Sequence, residues 1–297
     1  MNLVHWKTKE RIIKKLLFMF ALSSILFLTG IIIVLFKEGL PIFTKVGFGE
    51  FLFSKDWYPT YDPADFGTLA LVLGSFVVTI GAMVIAVPIG ISSSIFISYI
   101  LPGKYRTVVK SLVELLAGVP SVVYGLFGMK ILGPFLKDVF GLPTGLTGLT
   151  ASIMLGIMAL PTIISLSEDA ISSIPKTFRD ASLALGATRW ETISKVIVPS
   201  ASSGIVTAII LGIGRAIGET MTVLMVAGGA AIIPTNILKP LRPMTATIAA
   251  EMGEAPVGSE HYQALFGIGI LLFIITLFFN FLADRFSRRF KKKVSGQ

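Results

Sequence analysis

The sequence predicts an all-α integral membrane protein, a bundle of about six transmembrane helices with both chain ends in the cytoplasm. Three observations predict it. Only 14% of the 297 residues are charged and 54% are hydrophobic, against roughly 25% and about 45–50% in a soluble domain. The apolar residues arrive in long blocks, with a mean hydropathy of +0.83. Lysines and arginines then collect in alternate connecting segments. The first two observations exclude a soluble globular fold, and the third sets orientation.

The blocks are Leu16–Phe36, Thr68–Ile97, Val108–Leu132, Thr147–Leu166, Ala201–Ile233 and Ala264–Leu282. Each can cross ~30 Å of hydrocarbon at about 1.5 Å per helical residue. Lys7, Lys9, Arg11, Lys14 and Lys15 precede the first block, as in a signal peptide. A run of about 20 residues is too long for an h-region, and no A-x-A-like site follows, so an uncleaved first span is expected. The second and fifth blocks exceed the bilayer and imply tilt or extension. Pro161 reads as a kink in the fourth, and Glu114 as a side chain snorkelling from the third.

Of the lysines and arginines in connectors and tails, 18 fall on the side of both termini and 7 on the other. That bias places the termini inside. The expected organisation is a first helix with an outer loop (1–67), a transmembrane unit (68–285) with a cytoplasmic loop at 167–200, and a basic tail (286–297). Outer residues 37–67 carry Trp57, Tyr58 and Tyr61, which read as an interfacial aromatic belt. A second outer loop, 234–263, holds Pro234, Pro240, Pro243 and Pro256.

The net charge of +9 and pI near 9.7 do not point to nucleic acid, because no basic stripe is interleaved with stacking aromatics. With no cysteine and only His5 and His261, no metal site is expected. No Walker A, G-x-S-x-G or H-E-x-x-H pattern occurs. No catalytic site and no cofactor are expected.

The cytoplasmic segment is patterned. Asp180-Ala181-Ser182-Leu183-Ala184-Leu185 favours a helix that stops at Gly186. Thr188-Arg189-Trp190-Glu191 is a capping-box pattern that starts another, and Pro199 reads as the turn into the fifth span. Two short helices would meet at a glycine corner, with Arg189 and Trp190 projecting. Such a hairpin could lie on the membrane or insert into a cytoplasmic partner. The spacing Asp180-Ala181-Ser182-x3-Gly186-x9-Val196-x-Val198-Pro199 resembles the EAA loop of ATP-binding-cassette (ABC) importer permeases, with Asp for Glu, Ser for the second Ala, and Val for Ile and Leu. The resemblance implies docking onto an ATPase subunit, so that ATP is used by a partner chain.

The fifth block contains Gly212-Ile213-Gly214-Arg215-Ala216-Ile217-Gly218-Glu219-Thr220-Met221-Thr222. An arginine near mid-membrane costs about 2.5–3.5 kcal/mol on insertion scales, so Arg215 should face the bundle interior. Glu219, four residues on, would share its helix face as an ion-pair partner. The pair could staple helices, or Arg215 could bind an oxyanion in its planar fork, with Glu219, Thr220 and Thr222 along the path. In the third block Gly118, Pro120 and Ser121 break a helix. That is a simple kink, or a break lining a cavity.

Arg215 to Met221 followed by Val223-Leu224-Met225-Val226-Ala227-Gly228 looks like the fifth span of the phosphate-permease family PstC. Leu116-Ala117-Gly118-Val119-Pro120-Ser121-Val122-Val123-Tyr124-Gly125, Thr245 to Ala255, Gly258 to His261 and Ala264-Leu265-Phe266 are similar to it too. The likeness runs from about residue 66 to the C-terminus. It implies a type I ABC importer permease fold in a prokaryotic cell membrane. It also implies a homologous permease partner (PstA-like), two ATP-binding subunits (PstB-like) and an external phosphate-binding protein (PstS-like). Another oxyanion as cargo (sulfate, molybdate, phosphonate) and an ion-gradient-driven transporter remain the alternative readings.

Overall fold

The computed structural model describes the backbone of residues 3–294 and side chains of 10–285. The side chains of Lys7, Lys9, His5 and the basic tail 286–297 lie outside the described residues. Helix α1 (Leu3–Lys45) is followed by α2 (Phe48–Phe53) and a two-residue hairpin, β1 (Trp57–Tyr58) with β2 (Asp65–Phe66), paired antiparallel. α3 (Leu69–Ile95) continues through a π-turn to Ile100. α4 (Gly103–Ala117), α5 (Ser121–Phe127) and α6 (Gly133–Phe140) follow, then α7 (Gly148–Ser172). α8 (Lys176–Ala184) and α9 (Arg189–Thr192) precede α10 (Val198–Ile217). The chain closes with α11 (Met221–Val226), α12 (Met244–Glu251) and α13 (Glu260–Val294).

Among the described residues five helices are long and apolar enough to cross a membrane, and the α4–α6 segment, bent into two arms, brings the number to six when the pair is taken as one span. The third block is therefore not one straight span. Its arms meet at 85° where Gly118 closes α4 and Pro120 opens α5. Proline removes an N–H and disfavours helix in the residue before it, so α4 cannot propagate.

The central core joins α3, α7, α10 and α11 through small residues, Ala82, Ala86, Ala151 and Ala159 among them. Close approach of backbones replaces hydrophobic expulsion as the packing force in lipid. A Cβ on Gly156 would stand 3.1 Å from the Ala82 carbonyl. On the outer side Ile42, Phe51, Trp57, Leu71, Leu265 and Ile268 form a second core, and Ile171, Ile197, Ala201 and Ile205 form a third at the cytoplasmic side. α7 starts at Thr147, whose hydroxyl accepts from the Thr150 amide, and runs unbroken across Pro161.

Two outer expectations are corrected. Residues 37–45 are not loop but the last turns of α1, because Ile42 is fully buried in the outer core. Trp57 is not in an interfacial belt. It is buried, and its indole N–H donates to Glu251, 3.0 Å from Oε2. Only Tyr58 and Tyr61 are exposed, with their rings stacked 5.0 Å apart.

Candidate functional site

Two interrupted helices are brought together in the bundle. The first interruption is 118–120. There the Leu115 and Leu116 carbonyls accept from the Gly118 and Val119 amides, at 3.1 and 3.3 Å, and Leu116 also accepts from the Tyr124 hydroxyl at 3.0 Å. The second is 218–220. α10 ends at Ile217 with Gly218 as cap, Thr220 is the N-cap of α11, and the Thr220 hydroxyl lies 3.4 Å from the Gly218 carbonyl. Thr222, fully buried, donates to the Ser121 carbonyl at 3.0 Å and so ties the second interruption to the first. Gly125 permits this approach, since a Cβ there would sit 2.5 Å from Met225 Sδ.

Arg215 lies in the last turn of α10, half-buried between these interruptions. Its Nη1 donates to the Thr162 hydroxyl of α7 at 3.0 Å, and its Nη2 reaches the Ala117 carbonyl at the end of α4 at 3.5 Å. Ala117 is the last residue of α4, next to the 85° bend. Among the described residues no carboxylate forms an ion pair with Arg215. A guanidinium carries five N–H donors. Here it meets neutral oxygens, which satisfy donors without cancelling charge.

The expected Arg215–Glu219 pair is therefore corrected. The i,i+4 rule holds only while the helix continues, and α10 stops before Glu219. The turn at Gly218 swings Glu219 away. Its Oε1 accepts from the Thr222 amide at 3.1 Å, and its carbonyl accepts from the Thr245 hydroxyl at 2.7 Å. Glu219 caps α11 and fixes the second interruption. The fifth helix also differs from its apolar block: it is already under way before Ala201, and residues 227–233 are not helical.

At the cytoplasmic corner the sequence signals hold locally. Gly186 has φ +87°, and Thr188 and Glu191 exchange both capping-box hydrogen bonds at 3.1 and 3.2 Å. Ser182 and Thr192 hydroxyls meet at 3.0 Å and close the corner. Asp180, Ala181, Arg189 and Trp190 are exposed, and Leu185 is 90% exposed. Apolar tips displayed on a polar corner suit a helix-in-groove contact. Pro199 is not a turn. The helix is continuous from Arg189 to Ile217, because a π-turn at Ile193–Ile197 absorbs the missing proline donor.

Two polar clusters escaped sequence reasoning. Glu168, 2% exposed, accepts from Arg106, from Lys110 (2.8 Å) and from the Ser172 hydroxyl, and Lys110 also pairs with Asp169. Arg106 and Lys110 are among the inside-facing cations that set orientation. Their i,i+4 spacing opposite an acidic pair at the end of α7 was the available signal. The second cluster centres on Glu251, which receives Trp57, Arg242 and His261 (2.9 Å). Three distant segments supply it, so no local pattern marks it. No metal-binding group of three acidic or histidine side chains occurs among the described residues.

Comparison with known proteins places these features. Residues 86–296 match the family model for the binding-protein-dependent transport system inner membrane component. The probable ABC transporter permease protein YqgH of Bacillus subtilis is 40% identical over 273 residues, 91% of this chain and 88% of that protein. The phosphate transport system permease protein PstC of Mesorhizobium japonicum is 35% identical over 275 residues, 86% and 83% of the two chains. Among solved structures, a bacterial alginate ABC transporter in complex with an alginate pentasaccharide-bound periplasmic protein aligns with TM-score 0.65 and 17% identity. That alignment covers 98% of this chain and 99% of that one. The MetNI methionine ABC transporter, inward facing, aligns with TM-score 0.55 and 22% identity over 75% and 94%. These last two likenesses concern the fold. The chain belongs to the family of binding-protein-dependent transport system inner membrane components, the multi-pass membrane permeases of ABC importers.

Proposed function

We propose that this chain is the permease subunit that carries inorganic phosphate through the cell membrane of a prokaryote, as part of an ATP-driven importer. One observation carries the reading: Arg215 sits between two helix interruptions with neutral oxygens as its only hydrogen-bond partners among the described residues. An uncompensated guanidinium at that depth is favoured when a negative solute passes it. The relatives named as phosphate permeases support phosphate over other oxyanions.

The apolar face of α4 and α5, with Leu112, Leu115, Leu116 and Val123 exposed, is where a homologous PstA-like permease completes the path. Two PstB-like ATPase subunits dock at the corner of Asp180, Ala181, Gly186, Arg189 and Trp190, and a PstS-like binding protein delivers phosphate from outside. ATP is consumed by the partner chains, and this chain has neither a catalytic site nor a cofactor of its own. ATP binding closes the ATPase pair, the corner moves, and the path opens outward; hydrolysis resets it. The anion site binds modestly, because a site that holds too well does not release. Replacing Arg215 by Ala in a normally assembled importer abolishes phosphate uptake into vesicles. Uptake at the parental rate rejects the anion-path role, and competition by sulfate or molybdate reassigns the cargo.

A further inference from the structure

α4 is an unusual element in this bundle. None of its residues is buried, and Val108, Leu112, Leu115 and Leu116 are all more than half exposed. An element without buried side chains is positioned by its polar attachments. α4 has two sets of them. At its C-terminal end the Ala117 carbonyl meets Arg215, and the Leu116 carbonyl accepts from Tyr124. Near its start Arg106 and Lys110 grip Glu168, Asp169 and Ser172, in the last turns of α7.

α7 also supplies Thr162, the other ligand of Arg215. Both resting oxygens of the guanidinium thus belong to α4 and α7, and the Arg106–Lys110 cluster fastens those two helices together. Arg215 itself rides on the continuous helix that begins in the docking corner. At the anion site α10, packed against α7 in the central core, carries the cation, and α4 and α7 carry its neutral partners. Buried Glu168 makes the fastening a strong one, because a desolvated carboxylate held by two cations and a hydroxyl is costly to leave unpaired.

We propose that Arg106 and Lys110 are positioning residues for transport, clamping α4 to α7 through Glu168 and Asp169 so that the Ala117 carbonyl stays behind when the docking corner draws Arg215 away. Displacement then strips the guanidinium of its resting oxygens and presents it to the anion. Without the clamp, α4 follows Arg215, the contact with Ala117 persists, and ATP is spent without transport. The proposal rests on Arg215 being the anion site of an ABC permease.

The test uses the complete importer in proteoliposomes with its binding protein, reading phosphate taken up and ATP hydrolysed. K110A should raise the ATP consumed per phosphate about tenfold, a shift typical of coupling between two sites, while K110R stays within about twofold of the parent. Where K110A fails to assemble, E168Q, which keeps the shape and the Ser172 hydrogen bond, is read the same way. Uptake and hydrolysis falling in parallel, with the ratio unchanged, overturns the clamp. R215A in the same vesicles separates the two ideas. Uptake retained there sinks the anion-site reading, whereas uptake lost there with an unchanged ratio in K110A sinks the clamp alone.

Discussion

Arg215 and Glu251 are both charged groups drawn into the protein, and they are treated in opposite ways. Glu251 collects cations and donors: Arg242, His261 and the Trp57 indole. Its charge is answered, and it joins α12 to the outer hairpin and to the first turn of α13. Among the described residues Arg215 collects only the Thr162 hydroxyl and the Ala117 carbonyl. Its geometry is fixed while its charge is left standing. Buried charge thus takes two forms here: on the proposed path, the compensated group holds structure and the uncompensated one invites a counter-ion.

The largest effect that would sharpen this contrast is on uptake. R215A should lower phosphate uptake by about 10²-fold, the scale by which losing one oxyanion-hole donor slows an enzyme. R215K should recover little of it, because an ammonium lacks the planar fork. E251A should act on stability instead. It strands Arg242 and His261 and should cost about 3 kcal/mol, read as a lower unfolding temperature of the purified complex. The surviving protein should hydrolyse the parental amount of ATP per phosphate; a change in that ratio would break the contrast. G128A sets a Cβ 2.8 Å from Met154 Cγ and Val226 Cγ1. It should cost about 1–3 kcal/mol by overpacking between the interrupted helices, and uptake should fall with it. T222V should be smallest, about 1 kcal/mol for the hydrogen bond to the Ser121 carbonyl, with a modest loss of uptake.

Features written in neighbouring residues were legible in the sequence. The spans follow from apolar length, the 118–120 interruption from Gly118 and Pro120, and the corner from Gly186 and the Thr188 capping box. Arg215 was legible too, because its cost in hydrocarbon demands a reason. What failed did so for physical causes. Glu219 was assigned by helical periodicity, and periodicity ends where Gly218 ends the helix. Pro199 reads as a stop, but a π-turn one turn earlier relieves its missing N–H. Trp57 has the amphipathic character of an interfacial residue, yet its partner lies 194 positions away. Glu168 is separated from Lys110 by 58. Pairings of that range are set by how helices pack, and no spacing rule reaches them.

The unbroken helix from Arg189 to Ile217 contains 29 residues, about 43 Å at 1.5 Å per residue. Its far end, which carries Arg215, stops inside a hydrocarbon layer ~30 Å thick in all, so the first turns stand in water as the handle of a crank. A swing of about 5° over such a length carries the far end through about 4 Å, the separation between one hydrogen-bonded partner and the next. On the proposed lever, gating asks for small angles, and no helix has to melt.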